Sequence, residues 1–226
     1  MTLPLTELAP GGPRLSPIVA GAWRMADWQW NAQQRLRWIE ECVELGVTSF
    51  DHADIYGGYA VEGLFGEALA LAPVLRERLQ LVGKCGIKLV APARPEHRIK
   101  HYDSSAAHIA ASVEASLRAL RTDLADLLLI HRPDPLLDAD EVARAFESLR
   151  AAGKVRHFGV SNFAPAQFEL LASRFPLVTN QIELHPLQRA ALTDGTLDQM
   201  QRLRIRPMVW SPLAGGALIS GGGEAE

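Results

Sequence analysis
The sequence predicts an α/β fold, a (β/α)8 TIM barrel of which about seven of the eight βα units lie within 226 residues. Three observations carry this reading. β-favouring and helix-periodic segments alternate seven times, with no shift in composition that would mark a linker, so one domain is expected over residues 1–226. The segment 124–130 is almost wholly aliphatic, which suits a strand covered on both faces in a parallel sheet. The β-favouring runs end on polar or aromatic residues, as strands do when their carboxyl ends build one rim. A Rossmann sheet would require a G-x-G-x-x-G turn after an early strand, and none is present.

Each element has its own warrant. Residues 2–16, rich in Pro and Gly with Leu3, Leu5, Leu8 and Leu15 among them, are expected to form a short hairpin plugging one end of the domain. Residues 16–23 read as a strand, with Pro17 tolerable at its start, and 32–45 as a helix with Leu36, Ile39 and Val43 on one face and Gly46 as its stop. A strand over 47–50 ends in Asp51, Gly57 and Gly58 turn the chain, and Val61, Leu64, Phe65, Ala68 and Leu69 recur at helical spacing. Residues 79–84 form a third strand, followed by a long loop and a helix over 105–120. The next helix opens with Asp138 and Glu141 in capping-box spacing and stops at Gly153. Strands at 155–160, 178–182 and 206–210, with helices at 165–173 and 193–203, complete the series.

Composition narrows the function. A hydrophobic share of 48% allows a large core, and a net charge of −3 with pI near 6.2 gives no global field for nucleic acid or an anionic membrane. A small-molecule partner is therefore expected. Two cysteines, Cys42 and Cys85, suit a reducing compartment better than a disulfide framework. Without a signal-peptide pattern or a run of 18 apolar residues, the expected location is cytoplasmic.

The chemistry sits at the strand ends: Trp23, Asp51, Lys84, His131, Ser161 with Asn162, Gln181, and Trp210 with Ser211. Singly each has an ordinary explanation, Asp51 as a loop cap, Lys84 as an exposed lysine, His131 as a satisfied strand-end imidazole, Gln181 as a core amide. Together on one rim they suit proton donation to a carbonyl oxygen. Tyr56 has an unperturbed pKa of about 10 and donates poorly near neutrality unless a cation stabilises its phenolate. Lys84 can supply that cation. At roughly 4 Å and an effective dielectric near 20 the attraction is about 4 kcal/mol, roughly three pKa units before desolvation subtracts from it. Asp51 would keep the ammonium charged and fixed, and His131 would orient the incoming oxygen or share its proton. Side chains supply no hydride, so a nicotinamide cofactor is implied. Ser161, Asn162 and Gln181 offer what a carboxamide requires, and Trp210 a flat face for the ring.

The motifs GVTSFDHADIYGG, LVGKCG, LLLIHRPD, GKVRHFGVSNF, TNQIELHP and VWSPLAGG resemble those of the aldo/keto reductase superfamily over nearly the whole chain, and look closest to the bacterial branch carrying DHADIYGGY and IHRPDP. The resemblance implies a reductase of aldehydes and ketones that uses NADPH (NADP+), with Tyr56 as general acid, Lys84 and Asp51 tuning it, and His131 positioning the carbonyl. It implies cofactor contacts from Gly21, Ala22, Trp23, Ser161, Asn162, Gln181, Trp210, Ser211 and Leu213, and a structural place for His185. It also implies further helices and an eighth strand beyond VWSPLAGG, whose following segment binds the adenosine phosphate. The chain is thus expected to be a C-terminally shortened barrel, open between its first and seventh strands, its final GGGEAE having no apolar residue able to form a strand.

Two other readings stand beside this one. A barrel metallohydrolase would use Asp51, His52, His131 and His185 as ligands, although the first strand ends in Ala22-Trp23-Arg24 without histidine. A nicotinamide-binding or regulatory barrel without turnover is the other. The substrate pocket is expected to draw walls from Trp23, Arg24, Trp28 and Trp30. The loop 86–104, with Lys88, Arg94, Arg98 and Lys100 against Glu96 and Asp103, reads either as a solvated loop or as a site for an anion.

Overall fold
The computed structural model describes residues 4–220. Among these, seven parallel strands form one sheet in sequence order: β1 (Val19–Gly21), β2 (Ser49–Asp51), β3 (Gln80–Cys85), β4 (Ala125–Ile130), β5 (Val155–Ser161), β6 (Asn180–Glu183) and β7 (Met208–Trp210). Helices α1 (Ala32–Glu44), α2 (Val61–Leu69), α3 (Ala106–Leu120), α4 (Ala139–Ala151), α5 (Pro165–Ala172) and α6 (Thr196–Arg202) follow strands β1 to β6 in turn. The sheet is a curled half-barrel whose edge strands, β1 and β7, are not paired with each other among the described residues. The stretch GGGEAE and Leu3 lie outside those residues.

Strand alternation sorts the side chains into an outer and an inner layer. In β4, Leu128 and Ile130 join Val113 of α3, Phe146 of α4 and Phe168 of α5 outside the sheet. Leu127 and Leu129 face inward with Val82 of β3 and Met208 of β7. Outside β2 and β3, Phe50 and Leu81 pack on Ile39 of α1 and Phe65 of α2. Every residue of β4 is buried, which is why its sequence carries no polar face except Asp126. That carboxylate is itself occupied, accepting from the Leu81 backbone N at 2.8 Å and from Arg156 at 2.7 Å.

The amino-terminal segment is a hairpin, Thr6–Glu7 antiparallel to Arg14–Leu15. Leu8 and Leu15 enter the inner layer, so the hairpin plugs the interior as expected. The first strand is shorter than the predicted 16–23. Ser16 turns its hydroxyl to the Ile18 carbonyl at 2.7 Å and accepts from the Thr48 and Ser49 backbone N, so side-chain bonds replace the ladder before Val19. The strand predicted over 206–210 likewise begins only at Met208.

The helix ends show how sequence sets their limits. Asn31 and Gln34 form a capping box at α1, and Asp138 accepts from the Asp140 and Glu141 backbone N at α4. The reciprocal half of the expected α4 box is not made. Glu141 instead accepts from the Ala106 backbone N at 2.8 Å, capping the neighbouring α3. In the loop 86–104, Ile87–Lys88 pairs antiparallel with His101–Tyr102, so the loop is itself a hairpin.

Candidate active site
The inner parity of the strands aims Lys84 at the centre of the rim. Val82 is in the inner layer and Lys84 stands two residues on, on the same face, with only 2% of its surface exposed. Its Nζ donates to Asp51 Oδ2 at 2.5 Å, to the His52 carbonyl at 2.9 Å and to the Tyr56 hydroxyl at 2.9 Å. All three donor positions of the ammonium are filled. Tyr56 arrives on the turn after β2, which Gly57 and Gly58 close at φ of 58° and 64°. A side chain at Gly57 would meet Val61 Cγ2 at 2.9 Å, so the tight turn that presents Tyr56 requires glycine there.

Electrostatics here are a contest between burial and charge. Burial disfavours the Lys84 cation, yet Asp51 and Tyr56 outweigh it and raise its pKa above the ordinary lysine value. For Tyr56 burial is the largest influence and pushes the pKa up; Lys84 pulls down and Asp51 pushes up again. The net direction is upward, the reverse of the expected lowering by Lys84. His131 faces the Tyr56 ring edge-on, centroids 5.9 Å apart. Burial, together with Lys84, Arg132 and Lys100, lowers its pKa to about 2, so it is a neutral imidazole at ordinary pH. Its backbone N is fixed to the Cys85 carbonyl at 2.8 Å, while its Nδ1 is buried without a partner among the described residues.

Across the interior, Gln181 of β6 donates its Nε2 to Asp51 Oδ1 at 3.0 Å. The two carboxylate oxygens of Asp51 thus serve Lys84 and Gln181 separately. Asn162, at φ 59°, adopts the left-handed conformation that asparagine tolerates. It donates Nδ2 to Ser161 Oγ at 2.7 Å and accepts at Oδ1 from Trp210 Nε1 at 2.9 Å, and the Ser161 hydroxyl donates to the Gln181 carbonyl at 3.1 Å. One hydrogen-bonded chain therefore runs from Trp210 through Asn162 and Ser161 to the backbone of β6.

A cavity of about 950 Å³ lies against these groups, between β1 and β7. Of the residues singled out from sequence, Gly21, Trp23, Asp51, Tyr56, His131, Ser161, Asn162, Gln181, Trp210 and Ser211 line it. Lys84 stands behind Tyr56 and Asp51. Ala22 is fully buried in the core beside Met25, and Leu213 is about half exposed, so neither side chain is brought to the cavity wall. Trp28 and Trp30 are also absent from it. Their rings meet at a tilt of 43° with centroids 4.6 Å apart, and Trp28 packs edge-on against Trp38 of α1 at 5.1 Å. Arg24 lies over the Trp23 ring instead of facing the cavity. The wall also includes Ile55, Leu89 and Arg132, which sequence reasoning did not place there, and Lys100, from the loop read either as solvated or as a site for an anion.

The residues considered as metal ligands do not gather. Both His52 nitrogens are buried without partners among the described residues, its ring edge-on to Phe65 at 4.5 Å, and burial lowers its pKa to about 3. His185 bonds to Glu183 at 3.2 Å. Among the described residues no group of three His, Cys, Asp or Glu is arranged to hold a metal ion, and no helix is long and apolar enough to cross a membrane.

Residues 17–224 match the sequence model of the Aldo/keto reductase family. The chain is 59% identical over 215 residues to the oxidoreductase YdhF of Escherichia coli, an alignment covering 94% of this chain and 72% of that one. It is 50% identical over 210 residues to a 6-dehydroglucose reductase of Agrobacterium fabrum, covering 92% of this chain and 71% of that one. Among solved structures, a glycerol dehydrogenase from Gluconobacter oxydans superposes with a TM-score of 0.84 at 29% identity, over 99% of this chain and 67% of that one. The holo form of an aldo-keto reductase from Bacillus halodurans gives 0.83 at 26% identity, over 99% and 71%. The chain belongs to the aldo/keto reductase family, oxidoreductases that act on carbonyl compounds with a nicotinamide cofactor.

Proposed function
We propose that this protein reduces aldehydes or ketones to alcohols with NADPH, Tyr56 giving the proton to the carbonyl oxygen. The observation that carries the reading is the Tyr56 hydroxyl, 2.9 Å from a buried Lys84 that Asp51 holds at 2.5 Å. Raised above the ordinary value, the Tyr56 pKa keeps the phenol protonated across the neutral range, so the proton is available to give. The phenolate left after transfer lies against a fixed ammonium, stabilisation that grows as charge develops on the oxygen. Neutral His131, beside the phenol, orients the carbonyl by hydrogen bonding without competing as an acid.

The donor set at the cavity wall fits a nicotinamide. Gln181 uses one amide hydrogen on Asp51 and keeps its Oε1 without a partner among the described residues, and Asn162 and Ser161 adjoin it. Gln181, Asn162 and Ser161 would hold the carboxamide, and the Trp210 ring, fixed by its bond to Asn162, would bound the pyridine face. When bound, the cofactor supplies the hydride that no side chain can provide. Gly21, Trp23 and Ser211 extend the same wall, and Ala22 and Leu213 are proposed to act through their backbone.

The test is NADPH consumption against aldehydes, ketones and dicarbonyls, with polyhydroxylated aldehydes included because one relative is a 6-dehydroglucose reductase. Tyr56→Phe should lower the rate by about 10² to 10⁴ while leaving NADPH affinity within a few fold, because only the transferable proton is lost. More than half the wild-type rate in that variant would end the assignment. NADPH binding without oxidation under any carbonyl would favour the non-catalytic alternative.

A further inference from the structure
Resting on the reductase reading, we infer that the carbonyl substrate carries an anionic group, a carboxylate or phosphate, that Lys100 and Arg132 hold at the rim of the cavity. Both side chains line the cavity that Tyr56 and His131 also line. Neither has a carboxylate within 4.0 Å among the described residues. The acidic groups around them are already engaged. Asp51 serves Lys84 and Gln181, Asp103 pairs with Lys88 at 2.5 Å, and Asp134 accepts from Ser104 Oγ and from the Leu136 backbone N, both at 2.9 Å. Two cations thus line the cavity without a carboxylate partner among the described residues, and their field favours an anionic occupant.

Arg132 is held by a ring contact, and the backbone that carries the exposed Lys100 side chain is held by the loop hairpin. The Arg132 guanidinium carbon lies 5.6 Å from the centroid of the Trp210 ring, which itself is tied to Asn162. Lys100 immediately precedes His101, whose pairing with Lys88 closes the loop hairpin. That hairpin is pinned at its base by the Tyr59 hydroxyl, which accepts from the Leu89 backbone N at 2.8 Å. Tyr59 does this at φ 76°, an uncommon conformation for an aromatic residue and one that the surrounding contacts must enforce. Both cations help keep the His131 imidazole neutral, so their field reaches the place where the carbonyl oxygen would sit. The same cavity is lined by the apolar side chains of Trp23, Ile55, Ile87 and Leu89. The fitting substrate has its carbonyl at Tyr56 and His131, an apolar middle, and its anion at the far end.

The cofactor's own phosphates are the other anion that could meet these cations. Lys100 argues for the substrate, because it stands on the loop after β3, whereas the carboxamide-binding wall comes from β5, β6 and β7. The experiment measures kcat/KM at saturating NADPH for a matched pair of aldehydes, 4-formylbenzoate and its neutral near-isostere 4-formylbenzamide. The wild type should prefer the carboxylate by about tenfold at low salt, the scale of two partly solvated ion contacts, and the preference should shrink as sodium chloride is added. In Lys100→Gln with Arg132→Gln the ratio should fall toward one, while Lys100→Arg should keep it. Equal reduction of both aldehydes by the wild type would overturn the anion inference and leave the reductase reading standing. No oxidation of NADPH with these or with any carbonyl of the wider panel would overturn the reductase reading and this inference with it, and oxidation with other carbonyls but not with 4-formylbenzoate would overturn the inference alone. A ratio unchanged in the double variant, with weakened NADPH binding instead, would assign the cations to the cofactor and overturn the inference. The wild-type ratio and its salt dependence need no variant, so a misfolded substitution leaves the test intact.

Discussion
The Lys84 ammonium is shared between the Tyr56 hydroxyl at 2.9 Å and Asp51 Oδ2 at 2.5 Å, and it lies 4.8 Å from the centroid of the Tyr56 ring. One buried cation thus touches both the phenol and the carboxylate that opposes its influence. Burial raises the Tyr56 pKa most, Lys84 lowers it, and Asp51 raises it again.

Lys84→Met should therefore slow carbonyl reduction and move the alkaline limb of the pH profile upward. Removing the cation raises the Tyr56 pKa further, and the phenolate formed after proton transfer loses its stabilisation, by an amount of about 10² in rate. The measurement is kcat/KM from pH 6 to 10.5 in both proteins. A limb that stays where it was would mean that a group other than Tyr56 titrates.

Gln181→Ala and Trp210→Ala separate cofactor holding from proton chemistry. Trp210→Ala leaves Asn162 Oδ1 without its donor, and Gln181→Ala removes the amide that reaches both the cavity and Asp51. Each should weaken nicotinamide binding by about tenfold, the scale of one lost hydrogen bond and its ordered neighbours. Titration of NADPH by fluorescence gives the answer. Unchanged affinity in both variants, with a fall in kcat alone, would move these residues out of the cofactor site.

Much of this site was legible because strand parity is a local property. Once 79–84 reads as a strand with an inward Val82, an inward Lys84 follows, and Asp51 after an outward Phe50 follows likewise. The Asp51 to Gln181 bond was not legible, since its partners are 130 residues apart and only the curl of the sheet brings β2 and β6 to one centre. Glu141 shows the same limit. Its spacing from Asp138 predicts a capping box on its own helix, but a neighbouring helix end offered the Ala106 backbone N. Trp28 and Trp30 looked like pocket walls from their place in the first loop. Trp28 instead packs its surface on Trp38 of α1, and Trp30 lies against Trp28, away from the cavity.

Behind the Tyr56 turn, Asp54 and Glu62 are buried carboxyl groups, and Asp54 Oδ1 and Glu62 Oε1 have no partner among the described residues. Burial raises Glu62 from 4.5 to about 8 and Asp54 from 3.8 to about 6. For a carboxyl raised in the folded state, the stability contribution is complete below the unfolded pKa and is lost as pH rises through the folded one. Glu62 should thus erode stability from about pH 4.5 to about pH 8, at up to about 1.4 kcal/mol per pH unit. His52, lowered to about 3, acts on the other side, losing stability as pH falls below its ordinary 6.5. Glu62→Gln, which keeps a neutral group of the same shape, should flatten the alkaline decline and be more stable than wild type at pH 8. Urea melts at pH 5, 6.5 and 8 decide it, and parallel curves for the two proteins would remove Glu62 from the account.

The last prediction concerns the spacing of β5 and β6. A Cβ on Gly159 would lie 2.7 Å from the Thr179 carbonyl oxygen, 2.9 Å from Leu129 Cδ2 and 3.0 Å from Thr179 Cγ2. That carbonyl accepts the Val160 backbone N at 3.1 Å, so the contact falls on a bond that sets the register of the two strands. Leu129 can shift within the inner layer, but backbone cannot yield so easily. Gly159→Ala should therefore cost about 1 to 3 kcal/mol of stability, the usual range for overpacking a well-filled interior. The damage should also reach function, because Ser161 and Asn162 on β5 and its following turn meet Gln181 on β6 through hydrogen bonds of 2.8 and 3.1 Å. Parting the strands moves the wall proposed to hold the carboxamide while leaving Tyr56 and Lys84, on the β2 and β3 side, in contact. The expected result is weaker NADPH binding with the pH profile of turnover unmoved. A stable variant with wild-type affinity would mean that β5 and β6 can separate without disturbing the site.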